Sequence, residues 1–200
     1  MQNLILFSIS AFIIGSIPFG VIISRSTTGI DITKQGSGNI GATNVARSLG
    51  IKWGIVTLIL DFFKGFLPIY LCQKIFMWPE MYILTIALTS LLGHQFSIFL
   101  KFRGGKGVST VFGIFMALSP ITALIAFIIF IGIVYWSDFV SLASIISVST
   151  TPVFLLVEMK SIVYIIGAIL MAALICLKHK SNIQSLIRGE ERRWRKRPVS

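Results

Sequence analysis

Residues 108–136 read VSTVFGIFMALSPITALIAFIIFIGIVYW, a run of 29 residues without a charge, and how that run is divided decides the fold. As a single helix it would be about 43 Å long at 1.5 Å per residue, too long for a hydrocarbon core of about 30 Å without steep tilt. Ser119 and Pro120 supply a break. The first piece then has about 12 residues, too few to cross a bilayer unaided, although enclosed by protein it can open a cavity at membrane depth. Charge parity asks for the same break. One span here would put the basic C-terminal tail outside, against the bias of Lys and Arg toward the cytoplasmic side.

The rest of the chain has the composition of a polytopic membrane protein. Of its 200 residues 55% are hydrophobic and only 12% charged, and the mean hydropathy is +0.89, values outside the range of soluble domains. The net charge of +11 does not point to nucleic acid, because the basic residues sit in short runs between apolar stretches and in the tail, as cytoplasmic loops do. Cys72 and Cys176 end different apolar segments without ligand-like spacing, so neither a disulfide nor a metal site is expected. The N-terminus lacks a basic start and a small-residue cleavage site, so the first apolar run is expected to stay as a membrane helix.

That first span covers about residues 4–23, with Gly15, Ser16, Pro18 and Gly20 suited to close helix packing or to freeing backbone groups near a cavity. Further spans fall at about 54–71, 81–99, 139–157 and 161–177. The span at 54–71 carries Asp61 and Lys64; each charge costs on the order of 3 kcal/mol at a helix centre, but three residues apart they share a face and can pair. Lys and Arg number four in the loop 25–52, three at 101–106 and eight at 178–200, against Lys74 and Lys160 on the other side. The expected fold is therefore all-α and integral to the membrane: one polytopic domain over 1–200 with a basic cytoplasmic tail at 179–200. It has seven helical segments, N-terminus outside and C-terminus cytoplasmic, and at least one segment is short or broken. On this topology four polar islands gather at the cytoplasmic face.

The first island, residues 36–47, reads GSGNIGATNVAR. Glycines let successive N–H groups point into one concavity, Ser37, Asn39, Thr43 and Asn44 add side-chain donors, and Arg47 adds a planar fork suited to phosphate. Gly36, Gly38 and Gly41 spell GxGxxG, but no hydrophobic strand precedes them and a membrane span follows, so a dinucleotide fingerprint is rejected. The second island, residues 94–110, reads HQFSIFLKFRGGKGVST and embeds Lys106 among Gly104, Gly105 and Gly107. Leu100 stands where a Walker A loop needs its first glycine, and Gly107 where it needs Ser or Thr, so ATP is not implied. His94 is either a packed histidine at a helix end or part of the site. The third island, residues 136–144, reads WSDFVSLAS, and the fourth is the tail with HKSNI at 179–183.

Taken in order, GSGNIGATNVAR, DFFKG, HQFSIFLKFRGGKGVST, SLAS and HKSNI resemble the bacterial acyl-phosphate:glycerol-3-phosphate acyltransferases, over residues 15–191. The resemblance implies a seven-helix inner-membrane enzyme. It would transfer a fatty acyl group from acyl phosphate to the 1-hydroxyl of glycerol 3-phosphate, giving lysophosphatidic acid and phosphate for phospholipid synthesis, with neither cofactor nor metal and without acyl-CoA. Membrane phospholipid and the two substrates are then the expected partners. Ser37, Arg47 and Lys106 are assigned to phosphate neutralisation, with the backbone N–H groups of the Gly36 and Gly104 loops as further donors. By resemblance Ser144, His179 and Asn182 complete the glycerol 3-phosphate pocket, His179 nearest the reacting hydroxyl. The catalytic set is Ser37, Arg47, Lys106 and His179. The substrate-binding set is Gly36, Gly38, Asn39, Thr43, Asn44, His94, Gly104, Gly105, Gly107, Ser144 and Asn182. The chain departs from the family pattern at Ser185, where a basic residue is usual, and at Arg193, where the ending GxExK has lysine. An organic-anion transporter is the alternative reading; the absence of an internal repeat and the one-sided islands weigh against it.

Overall fold

Helices stop where the apolar pattern is interrupted by proline, glycine or a cluster of polar residues. The computed structural model describes residues 2–195, and among these every regular element is helical. Helices α1 (Gln2–Ser16) and α2 (Phe19–Thr28) form one apolar stretch broken at Ile17 and Pro18. Helix α3 (Ala42–Leu49) ends at Gly50, whose φ of +99° only glycine adopts without strain, and α4 (Ile51–Tyr70) starts at once. A wide helical turn carries α4 on to Ile75. Then come α5 (Glu80–Gln95), α6 (Val108–Leu118), α7 (Pro120–Ser137), α8 (Val140–Val157), α9 (Ile162–Lys178) and α10 (Lys180–Ile187).

The long apolar run is divided where its sequence indicates: α6 stops at Leu118, and Pro120 opens α7, a position where the missing N–H costs nothing. Among the described residues five helical stretches are long and apolar enough to cross a membrane, and a sixth if α9 and α10, bent by 63°, count together. The remaining expected segment, α6, is apolar but only 11 residues long. Two helices lie where sequence alone placed only loop and tail, α3 and α10. Both are eight residues long and mix polar with apolar residues, so neither carries the signature of a span.

The chain divides into two compact units between Pro120 and Ile121. In the first, α1 packs on α5, and α4 packs on α3 and α6. Glycines make these approaches close. Gly15 of α1 lies against the backbone of Ser90, and Gly93 of α5 lies against that of Phe12; Gly65 and Gly113 play the same part between α4 and α6. Of the two roles open to the small residues of the first span, Gly15 thus serves packing, while Pro18 marks a true helix break. In the second unit α8 packs on α9, and α10 on both. There the Thr122 hydroxyl donates to the Glu158 carboxylate, with Lys160 Nζ 3.7 Å from its other oxygen.

Candidate active site

The first island is a loop wired by a single side chain. Asn44, near the start of α3, is 2% exposed. Its Oδ1 accepts from the Ser37 N–H at 3.0 Å, and its Nδ2 donates to the carbonyls of Asn39, Gln35 and Ile32 at 2.8, 3.0 and 3.3 Å. Gly36 and Gly38, at φ +58° and +69°, make the turns this requires, and a Cβ on Gly36 would strike Asn44 Oδ1. Below the loop Val21, Ile32, Ile40 and Val45 form a small core with Leu49, Trp53 and Leu100 against it. Further back, Asp31 accepts from the Thr33 hydroxyl at 2.7 Å and from Arg25 at 2.8 Å. These bonds, the Thr33 hydroxyl first, hold its carboxyl down to about 2.

This wiring revises one expectation. The N–H groups of Ser37, Gly38 and Gly41 donate to Asn44 Oδ1, the Gln35 carbonyl and Asn39 Oδ1, and that of Asn39 reaches Ser37 Oγ at 3.4 Å. They close the loop on itself instead of forming an open nest. The side chains of Ser37 and Arg47 are exposed and Thr43 is half-buried, whereas Asn44 faces inward.

In the second island the glycines serve fit. Gly105 N–H donates to the His94 carbonyl at 3.0 Å and Gly104 N–H to that of Gln95 at 3.3 Å. Gln95 Nε2 donates to the Lys106 carbonyl at 2.8 Å. A Cβ on Gly105 would meet the His94 ring, and one on Gly107, which has φ +91°, would meet Leu91. The amides of Gly104 and Gly105 therefore hold the loop to the end of α5. Lys106 is half-buried just before α6, Lys101 and Arg103 are exposed, and His94 is 3% exposed behind the loop. Beside the α1–α2 break an open groove of about 320 Å³ is lined by Pro18, Val21, Ile22, Phe99, Leu100 and the charge of Arg25.

The second unit holds the remaining candidates. His179, 1% exposed at the bend between α9 and α10, places Nδ1 2.8 Å from the Ile175 carbonyl. A carbonyl only accepts, so Nδ1 carries the proton and Nε2 is the basic nitrogen of the neutral ring. Ser144 Oγ donates to the Val140 carbonyl at 2.8 Å. Asn182 Nδ2 and Ser141 Oγ both donate to Glu191 Oε1 at 2.8 Å. Asp138 accepts from the backbone and Nε of Arg195, both at 3.1 Å. Burial pushes its carboxyl up, but these bonds outweigh burial and leave it below its usual value. Glu191, in the ending GxExK, and Asp138, in the third island, were read in the sequence but not assigned to the site; their signal was a carboxylate inside an otherwise basic or apolar island. Among the described residues no group of three or more His, Cys, Asp or Glu is arranged to hold a metal ion.

Residues 5–189 match the family model described as glycerol-3-phosphate acyltransferase. The chain is 41% identical to the glycerol-3-phosphate acyltransferase of Aquifex aeolicus over 93% of its own length and 96% of that protein's. It is 39% identical to that of Geobacter sulfurreducens over 98% and 100%. Its fold is similar to the crystal structure of PlsY (YgiH), an integral membrane glycerol 3-phosphate acyltransferase, in the glycerol 3-phosphate form: TM-score 0.92, 40% identity, 96% of this chain and 95% of that one. For the lysophosphatidic acid form the TM-score is 0.90. With two rigid polar loops, a half-buried lysine and a bend-positioned histidine already in place, these matches make the chain a member of the glycerol-3-phosphate acyltransferase family.

Proposed function

We propose that this protein transfers a fatty acyl group from acyl phosphate to the 1-hydroxyl of glycerol 3-phosphate, releasing lysophosphatidic acid and inorganic phosphate. The observation that carries the reading is the likeness, over 96% of the chain, to a structure in a glycerol 3-phosphate form. Both substrates bear a phosphate and one bears an apolar tail, so the site needs fixed cations and an apolar surface. Arg47 on α3 and Lys106 on the second loop, both in the first unit, meet the first need, with Ser37 as a donor. The groove beside Pro18 has the apolar lining that an acyl chain requires. Seven helical segments with the N-terminus outside, and a site at the cytoplasmic face of a bacterial inner membrane, belong to the same proposal.

Acyl phosphate is an activated mixed anhydride. The glycerol oxygen attacks the acyl carbon, the bond from that carbon to the phosphate oxygen breaks, and the hydroxyl proton leaves with the phosphate. Orientation and charge stabilisation are then the protein's main contributions. His179 orients the hydroxyl through Nε2 and does not keep its proton. Glutamine offers a hydrogen-bonding group at the reach of Nε2 but no basic nitrogen, so His179→Gln is expected to retain turnover within about a hundredfold, below the thousandfold or more that loss of a general base can bring. Steady-state kcat and KM for glycerol 3-phosphate decide this; loss beyond a thousandfold at unchanged KM makes His179 the base.

The reaction itself is tested by phosphate release from palmitoyl phosphate by the purified protein in detergent, with and without glycerol 3-phosphate, alongside detection of the lipid product. Release that requires the acceptor and equals lysophosphatidic acid formed is the expected result. Turnover of palmitoyl-CoA with palmitoyl phosphate untouched would overturn the assignment of the donor.

A further inference from the structure

The acyl-transfer chemistry leaves a buried charged cluster in the first unit without a task. Asp61 and Lys64, one turn apart on α4, pair at 2.8 Å with 3% and 2% of their side chains exposed. Lys64 Nζ also donates to the Ile17 carbonyl at 3.0 Å, in the gap between α1 and α2, and lies 5.6 Å from the centre of the Phe19 ring. On the other side His94 Nδ1 stands 3.8 Å from the same Asp61 oxygen. The opposite nitrogen of that ring, Nε2, is the atom a Cβ on Gly105 would strike. One carboxylate thus stands between the helix break from which α2 leads to the first loop and the residue on which the Lys106 loop is stacked.

Stability alone does not account for such a pair. Replacing a buried ion pair by apolar residues of similar volume is often neutral or stabilising, because two desolvated charges return little net free energy. What the pair supplies is direction: an ammonium fixed to a backbone carbonyl, and a carboxylate fixed beside an imidazole. Ser90 Oγ, which donates to the Lys64 carbonyl at 2.9 Å, ties the same turn of α4 to α5.

We propose that Asp61 and Lys64 are positioning residues for the anion site, Lys64 by holding the α1–α2 break and Asp61 by seating His94 behind Gly105 and Lys106. His94 then acts from behind the loop as a support and not as a ligand. The inference rests on the reading that Lys106 contacts a substrate phosphate.

The test is a double-mutant cycle on the purified full chain. Asp61→Leu/Lys64→Met is expected to fold with a Tm within a few degrees of the parent and to lose tenfold or more in kcat/KM, mostly through KM. In the Lys106→Ala background the same double replacement should cost less than threefold, since the group it positions is gone. If that background turns over too slowly to measure, Kd for glycerol 3-phosphate takes the place of kcat/KM in all four proteins of the cycle. An equal loss in both backgrounds, or unchanged kinetics in the folded double variant, overturns the proposal. Lys106→Ala with ordinary kinetics would instead remove Lys106 from the site, a separate failure. Should Asp61→Leu/Lys64→Met not fold, Asp61→Asn, of nearly the same volume, goes through the same cycle with the same two outcomes.

Discussion

Asn44 illustrates how one side chain can set the path of a whole loop. Its amide satisfies one backbone N–H and three carbonyls. Asn44→Ala would leave buried polar groups without partners, at a cost of about 1–3 kcal/mol. Asn44→Asp should be at least as damaging, since its oxygens cannot donate to the three carbonyls. The expected outcome is a lower Tm and a raised KM for glycerol 3-phosphate in both variants; a ligand role alone would leave Tm unchanged. The residues of this loop were legible in the sequence, because glycines and short polar side chains stand out in an apolar chain. Their division of labour was not. Asn44 and Thr43 are the same kind of residue on paper, and only the path of the backbone, with partners up to 12 positions away, decides which turns inward.

Among the elements, breaks were easier to read than short helices. Pro120 announces the start of α7 because a helix accepts proline in its first turn and not in its interior, and the length of the apolar run demanded a division. Helix α3 was missed since its apolar face, Ala42, Val45, Ala46 and Leu49, spans only two turns between a glycine-rich loop and Gly50, too short to stand out as a helical period. The turn before it, Ile32–Lys34, gives a pH dependence with a definite sign. Asp31 titrates at about 2 when folded against its ordinary 3.8, so its contribution is complete above pH 3.8 and is lost as pH falls through about 2. The Arg25 partner is exposed, so the effect is local and screened by salt. Amide exchange over residues 31–38, corrected for intrinsic rates, should quicken across that window in the parent protein. In Asp31→Asn it should be fast throughout.

For the whole molecule, the distribution of charge carries the orientation. On the proposed topology Lys74 and Lys160 lie in outer turns, and residues 178–200, with eight Lys and Arg, lie inside. In intact bacterial cells a membrane-impermeant maleimide is expected to label Lys160→Cys, and to label Lys180→Cys only after permeabilisation. The native background is favourable, since Cys72 is buried and Cys176 half-buried. Labelling of Lys180→Cys in intact cells would invert the proposed topology. Membrane class and helical fold were readable from composition and run lengths, and the family from the order of its motifs. The pairing of Asp61 with Lys64 was readable from their spacing; the carboxylates Asp138 and Glu191 were less so, because Arg195 and Ser141 come from distant parts of the sequence.

The first loop's closed wiring has a thermodynamic corollary. A segment whose turns are already held by Asn44 does not have to be ordered when a ligand arrives, so its conformational entropy is given up during synthesis of the fold and not at each encounter. On the proposed function, successive rounds of capture and release then proceed on a preorganised surface. Differences in affinity among phosphate-bearing ligands should track charge and shape, with little contribution from the loop's own freedom.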